Sequence, residues 1–222
     1  EREVKAAQIR SALFALRDTA AISFGDALAF ANEVSKKTGV RPAFLLAILT
    51  QETNLGKNIG TCNRPQDPPA KHWMQIMPGP ADIAKKLSKR DDESAYLRIT
   101  GELGLDPNSM PLSCPWGSGW GGAMGPAQFI PTTWESYKTK IANALGKKVP
   151  NPWQPRDAFM ASGIYLSELG AGAATYTAER TAARKYYAGG AWANPANAFY
   201  GNQVMAKAQM IQTTMIDPLE NL

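Results

Sequence analysis

The sequence has a single histidine, His72, among its 222 residues, and this scarcity limits the chemistry that the chain can perform. A Ser-His-Asp or Cys-His catalytic set needs a histidine beside its nucleophile, and no convincing set forms around this one. Metal binding is not expected either, because His72 has no partners at ligand spacing and no CxxC pair occurs. We therefore predict neither a metal nor a cofactor.

Long apolar runs are also missing, since none approaches the ~20 residues of a membrane span. The hydrophobic fraction of 44% still suffices for a real core. Alternation of apolar and polar residues is almost absent, whereas helical spacing recurs along the chain, which predicts a mainly α fold. The chain starts at Glu1 with no visible signal peptide, so we interpret it as a mature or trimmed piece.

The charge is moderate: the net charge is +5 and the isoelectric point about 9.2. Basic residues are scattered, with short clusters only, and they form no stripe typical of nucleic-acid binding. We expect no nucleic-acid partner. Two interpretations stay open, an attraction to polyanions such as cell-wall polymers and membrane surfaces, or an ordinary solvated basic surface.

The two cysteines, Cys62 and Cys114, each lie in a loop rich in proline or glycine. One disulfide joining the two loops would indicate an oxidising compartment. Two unrelated buried thiols are the alternative, and the sequence leaves both open.

Domain organisation is read from the helical pattern. Residues 1–22 are predicted to hold an N-terminal helix, either the end of a truncated coiled coil with a partner or a simple docking helix. One mostly helical domain follows over 23–216, with a tail at 217–222, and a monomer is expected. Within the domain, helices are predicted from Ser23 to Gly39 and over 42–54, 92–103, 131–145, 155–169, 177–187 and 195–214.

A carboxylate ends the most apolar of these helices. The stretch Ala47–Gly60 reads AILTQETNLGKNIG, and Gly56 is predicted to stop the helix. Glu52 lies four residues after Ile48 and three after Leu49, so it shares their apolar face. A glutamate at a helix end is usually a surface residue or ion-paired. Where its charge is disfavoured it keeps its proton, as a general acid requires.

AILTQETNLGKNIG resembles the catalytic segment of lytic murein transglycosylases, especially the membrane-bound lytic transglycosylase B type. Three further segments resemble that family in the family's order: GAMGPAQFIP at 122–131, NPWQPRDAFMASGIYL at 151–166 and RKYYAGG at 184–190. The resemblance implies a lysozyme-like, mainly α domain with a substrate cleft between helices. It also implies that peptidoglycan glycan strands are the partner.

The resemblance assigns roles to individual residues. Glu52 matches the catalytic acid/base, and Gln128 matches the glutamine that lines the cleft. Tyr165 matches the tyrosine of the third segment. Tyr186 matches that of the fourth, and Tyr187 stands where the family usually has asparagine. For each of these residues except Glu52, structural packing or backbone bonding is the competing interpretation.

The glycine-rich loop before Gln128 departs from the family pattern. The family carries a serine nine residues before its cleft glutamine, and Gly119 occupies that position here. Ser118 is the candidate replacement. Trp120 and Phe129 are assigned to the cleft, whereas Trp134 is assigned to packing.

The implied reaction is cleavage of the β-1,4 bond between N-acetylmuramic acid and N-acetylglucosamine, with a 1,6-anhydro product. Glu52 would act alone as acid and base. Besides Glu52 the four segments contain one carboxylate, Asp157 of the third segment, which the resemblance does not assign to catalysis. The resemblance therefore implies a substrate-assisted route. The enzyme is expected to be a lyase outside the cytoplasm: periplasmic, at the cell surface or secreted. The alternatives are a hydrolytic muramidase, a catalytically impaired peptidoglycan-binding module, and a scaffold assembled through the N-terminal helix.

Overall fold

The computed structural model describes residues 22–220, and this part of the chain is mainly α-helical, as predicted. Extended pairing between its segments is limited to isolated bridges: Cys62 with Leu112, Leu112 with Met124, and Met124 with Phe129. The N-terminal helix predicted within residues 1–22 falls almost wholly outside the described residues. Helices α1 to α10 are, in chain order, Phe24–Thr38, Pro42–Thr53, Trp73–Ile76, Pro80–Ala84, Asp92–Leu103, Pro131–Leu145, Pro155–Glu168, Tyr176–Ala188, Ala198–Ile211 and Asp217–Glu220. Short 3-10 turns lie at Pro69–Lys71, Ala171–Ala173, Gly189–Ala191 and Pro195–Asn197, and a π-helical turn lies at Gln212–Ile216.

The helix ends follow the local signals in the sequence. At the start of α1 the Asp26 amide donates to Ser23 Oγ at 3.1 Å. Helices α1, α5 and α6 all end at a glycine with positive φ, because glycine has no Cβ to clash in the left-handed conformation. The bounds predicted for α5 and α6 are confirmed.

The described residues form two compact units: those up to Lys57 together with those from Ser162 onwards (unit 1), and Asn58–Ala161 (unit 2). In unit 1, helix α2 is the buried element: every residue from Ala43 to Leu49 is buried. Helix α7 approaches α1 closely, since a Cβ on Gly163 would lie 2.0 Å from Val34 Cγ1. Only glycine permits this contact.

Unit 2 is held together by a buried amide. Asn63 Nδ2 donates to the Tyr96 hydroxyl at 3.1 Å and to the carbonyls of Pro107 and Met110 at 2.7 and 2.8 Å. Asn63 Oδ1 accepts from the Trp73 amide at 3.0 Å. A buried polar side chain is costly unless it is hydrogen-bonded, so this network fixes the loops around α3.

Cys62, directly before that asparagine, is bonded to Cys114. The disulfide interpretation is therefore confirmed, and the alternative of two free thiols is wrong.

Two details differ from the prediction. Helix α2 does not reach Gly56: it ends at Thr53, and Asn54 already has a φ of 51°. The segment 57–80, predicted to be irregular, contains the single-turn helix α3, which is too short for helical periodicity to show. No helix of residues 22–220 has the length and apolar character needed to span a membrane.

Candidate active site

Glu52 lies in the last turn of the buried helix α2. The chain leaves that helix through consecutive left-handed residues, Asn54, Leu55 and Gly56, with φ of 51°, 54° and 88°. The Leu55 amide donates to the Leu49 carbonyl at 3.1 Å, and the Leu55 side chain is buried. A bulky residue in the left-handed region is strained, so surrounding packing must hold this turn. The helix end that carries Glu52 is therefore held by the buried helix before it and by the packed left-handed turn after it.

Tyr200 is the hydrogen-bond partner of this glutamate. It lies in the first turn of α9, it is 4% exposed, and its hydroxyl donates to Glu52 Oε1. The neighbouring pair Gln51 and Gln203 also joins α2 to α9, with Nε2 and Oε1 3.0 Å apart. Nothing in the sequence singled out Tyr200, because an aromatic residue on the apolar face of a helix has the pattern of an ordinary core residue.

Aromatic rings surround this hydrogen bond. The ring of Tyr187 stacks on that of Tyr200, with centroids 4.7 Å apart and planes at 14°. Phe199 meets the ring of Tyr187 edge-on at 5.4 Å. Residues from α2, α8 and α9 thus form one cluster within unit 1.

The two other predicted tyrosines contact each other, and Tyr186 lies near enough to Glu52 for its charge to act on the Tyr186 hydroxyl. The rings of Tyr165 and Tyr186 are tilted against each other with centroids 5.4 Å apart. The Tyr186 hydroxyl and the buried Ser162 Oγ lie 2.9 Å apart. Helix α7 therefore supplies Ser162 and Tyr165, and Ser162 is a second residue that the sequence did not single out.

Burial sets the protonation of the carboxylic acid. Loss of solvent raises the pKa of the Glu52 carboxyl above its ordinary value of 4.5, and the hydrogen bond from Tyr200 acts in the opposite direction. Burial and the charge of Glu52 also raise the pKa of Tyr186 and of Tyr200, so both hydroxyls keep their protons. The site thus combines a carboxyl group whose pKa is raised by burial with two neutral phenols, of which Tyr200 donates a hydrogen bond to it.

Gln128 lies in unit 2, in the glycine-rich segment. Its φ is 55°, and its Nε2 donates to the carbonyl of Gly125 at 2.9 Å. Gly125 is required by its surroundings, because a Cβ there would lie 1.9 Å from the Pro152 carbonyl oxygen. The side-chain nitrogen of Gln128 thus bonds to the backbone, as the competing interpretation predicted. The side chain is still partly exposed.

The other loop residues are placed differently from one another. Phe129 is 4% exposed and packs edge-on against Trp134 and Tyr137, so it presents no open face to a sugar ring. Trp134 is fully buried, as its packing assignment predicted. Trp120 is 37% exposed and Ser118 is exposed, so both are open to a ligand.

The chain belongs to the transglycosylase SLT domain family, which matches residues 25–189. This confirms the family membership that the four sequence segments predicted. The predicted site residues Glu52, Gln128, Tyr165, Tyr186 and Tyr187 fall inside the matched residues, whereas Tyr200 lies beyond them. None of the curated proteins is a significant match to the chain.

Several solved structures are similar to the chain at low identity. The Escherichia coli lytic transglycosylase Slt35 in complex with calcium is 22% identical over 66% of this chain and 41% of its own length, with a TM-score of 0.47. The same enzyme in complex with bulgecin A gives a TM-score of 0.46 at the same identity and coverage. The soluble lytic transglycosylase SltB1 from Pseudomonas aeruginosa is 23% identical over 74% of this chain and 48% of its own, with a TM-score of 0.45. The chain spans less than half the length of each.

Proposed function

We propose that this chain is a peptidoglycan lytic transglycosylase in which Glu52 is the single acid and base. The observation that carries the proposal is the state of Glu52: burial raises its pKa, and a neutral tyrosine donates to it. Family membership supports the choice of a glycan-cleaving reaction. The fold class alone would not, since one fold hosts many functions.

The proposed first step breaks the bond between C1 of N-acetylmuramic acid and O4 of N-acetylglucosamine. Glu52 transfers its proton to O4, and the leaving sugar departs with a free hydroxyl. The acetamido group of the muramic acid stabilises the positive charge that develops at C1, in place of a second carboxylate.

In the proposed second step Glu52, now ionised, removes the proton from the 6-hydroxyl of the same muramic acid. A bond forms between O6 and C1, giving the 1,6-anhydro sugar and restoring the protonated acid. Between the two steps the carboxylate is charged in a buried site. The Tyr200 hydroxyl donates to it there, which stabilises the intermediate state and keeps the carboxylate oriented.

The proposed substrate contacts are the predicted site residues whose side chains are exposed or partly exposed: Gln128, Tyr165, Tyr186, Tyr187, Trp120 and Ser118. Phe129 is left out because its ring is buried. The disulfide fits an oxidising compartment, so we place the protein outside the cytoplasm. A coiled-coil partner at residues 1–22, a tail at 217–222 and a monomeric state also remain proposals.

Digestion of purified peptidoglycan followed by mass spectrometry of the soluble products tests the function. The wild-type chain is expected to release 1,6-anhydromuramic acid ends, and Glu52→Gln to release about 10³-fold less or none, since the amide cannot deliver the proton. Glu102→Gln is the matched control, because Glu102 is an exposed glutamate paired with Lys138. Reducing ends without anhydro sugar would assign a hydrolytic muramidase instead. Equal activity of Glu52→Gln and wild type would refute the assignment of the acid.

A further inference from the structure

The loop Cys114–Gly121, here called the indole loop, is closed at its base by backbone pairing. The Ser113 amide donates to the Ala123 carbonyl at 3.0 Å, and the Gly122 amide donates to the Ser113 carbonyl at 2.9 Å. The Gly121 amide donates to the Ile76 carbonyl at 2.7 Å. The disulfide ties the first residue of the loop to Cys62. The loop is therefore anchored at both ends.

Two tryptophans project from this anchored loop. Trp116 is 91% exposed and Trp120 is 37% exposed. A tight turn separates them, since the Gly119 amide donates to the Trp116 carbonyl at 2.9 Å. Trp116 makes almost no contact that would explain it as part of the core. A large apolar ring that is exposed on an anchored backbone is available to a ligand.

The stretch of sequence that contains the indole loop is uncharged. From Pro107 to Trp134 the sequence contains no aspartate, glutamate, lysine, arginine or histidine, although 19% of the whole chain is charged. An anionic membrane surface or a polyanion is recognised mainly through lysine and arginine. A neutral sugar ring instead needs a flat apolar face with hydroxyl and amide groups nearby. The composition of this segment fits the neutral ring.

We propose that Trp116 is a stacking platform for a pyranose ring of the glycan strand, a contact additional to those assigned to the active site. The identity of the strand as peptidoglycan rests on the proposed function, whereas the preference for a neutral sugar ring rests on the loop itself. Because the loop is already anchored and a tryptophan has two side-chain torsions, binding orders little that was free.

Binding is best measured in chains that carry Glu52→Gln, so that cleavage does not consume the ligand. The probes are purified peptidoglycan in a sedimentation assay and a soluble N-acetylglucosamine hexamer in a fluorescence titration. Adding Trp116→Ala is expected to weaken both by about tenfold, the scale of one ring stacked on an aromatic side chain. Trp116→Phe should recover part of the loss because it restores an aromatic face. The melting temperature should stay within about 1 °C, because an exposed side chain contributes little to stability.

Leu87→Ala is the matched control, since Leu87 is 63% exposed in the same unit and is not part of the loop. It is expected to bind both probes as the parent does. Unchanged glycan binding by Trp116→Ala overturns the proposal. So does a loss confined to sedimentation with anionic lipid vesicles, or a loss of self-association in light scattering with glycan binding intact. If wild type releases no anhydro sugar but glycan binding still depends on Trp116, the proposed function fails and the platform stands.

Discussion

The ring of Tyr187 stacks on the ring of Tyr200, with centroids 4.7 Å apart, and the Tyr200 hydroxyl in turn donates a hydrogen bond to the carboxyl group of Glu52. Tyr187 is half exposed, so one face supports Tyr200 while part of the ring meets solvent. The residue that departs from the family's usual asparagine thus supports the partner of the acid. A position that departs from the family pattern in the sequence is therefore part of the site in the structure.

Replacing Tyr187 tests this support. Tyr187→Ala or Tyr187→Asn removes the stack, and the rate of release of soluble products is expected to fall by about 2- to 10-fold, in line with the worth of one aromatic pair. Tyr187→Phe keeps the stacked ring and should lose much less. A Phe variant as slow as the Ala variant would show that the hydroxyl, and not the stack, is what the site needs.

Tyr200→Phe tests the hydrogen bond to the acid. This bond lowers the pKa of Glu52, so its removal is expected to raise that pKa further. Activity that requires protonated Glu52 should then persist to higher pH. In a plot of kcat/KM against pH, the alkaline limb should therefore shift to higher pH. The rate at the optimum should fall by roughly 10- to 100-fold, because the ionised state between the two steps loses its donor. Tyr176→Phe, at an exposed tyrosine of the same unit, serves as the control and should leave the limb in place.

The raised pKa of Glu52 also predicts how the free energy of unfolding depends on pH. Below the ordinary value of 4.5 the carboxyl is protonated in both the folded and the unfolded chain, so it contributes no pH dependence there. Above 4.5 the unfolded chain ionises first, and stability is lost until the folded pKa is passed. Urea unfolding should therefore show Glu52→Gln more stable than wild type at pH 7, with the difference shrinking towards pH 4. A difference that grew towards low pH would contradict the effect of burial.

A second prediction of stability concerns Gly125, the first residue of the turn that ends at Gln128. Gly125→Ala must place a Cβ at φ 58° and 1.9 Å from the Pro152 oxygen, whereas Gly146→Ala at φ 62° meets nothing within 4 Å. We expect Gly146→Ala to cost about 1–2 kcal/mol from the left-handed backbone alone. Gly125→Ala should cost at least about 2 kcal/mol more, because the backbone must also shift. Urea unfolding of the two variants measures the difference, and equal costs would refute the close contact.

Much of the fold was predictable because its signals are local. Proline at the first helical position and glycine just past the last one marked both ends of α6. The turn that follows α2 was not predictable in the same way. Sequence rules assign the left-handed conformation to glycine or asparagine, whereas here Leu55 adopts it and is held by burial in the core. Tertiary packing decided the conformation of that turn.

The residues of the site also divide into those that local sequence identifies and those that only tertiary packing reveals. Glu52 was found from its apolar face and its motif, because both are properties of adjacent residues. Tyr200 is 148 residues away in sequence and reaches the acid only through the packing of α9 on α2. Its chemistry depends on a long-range contact, which one sequence without an alignment does not reveal. The same limit applies to Ser162, whose hydroxyl looks like any other polar group on a helix until Tyr186 is placed beside it.

The continuous burial of α2 from Ala43 to Leu49 has a consequence for how the protein unfolds. Amide protons in a helix surrounded on every side exchange with solvent only when the surrounding unit opens. The amides of Ala43 to Leu49, which lead into the turn that carries the acid, should therefore be among the last in unit 1 to exchange with deuterium. Their exchange rate should report on global unfolding, and this part of the helix is then lost only together with the folded unit. Partial fraying elsewhere would leave the acid in place.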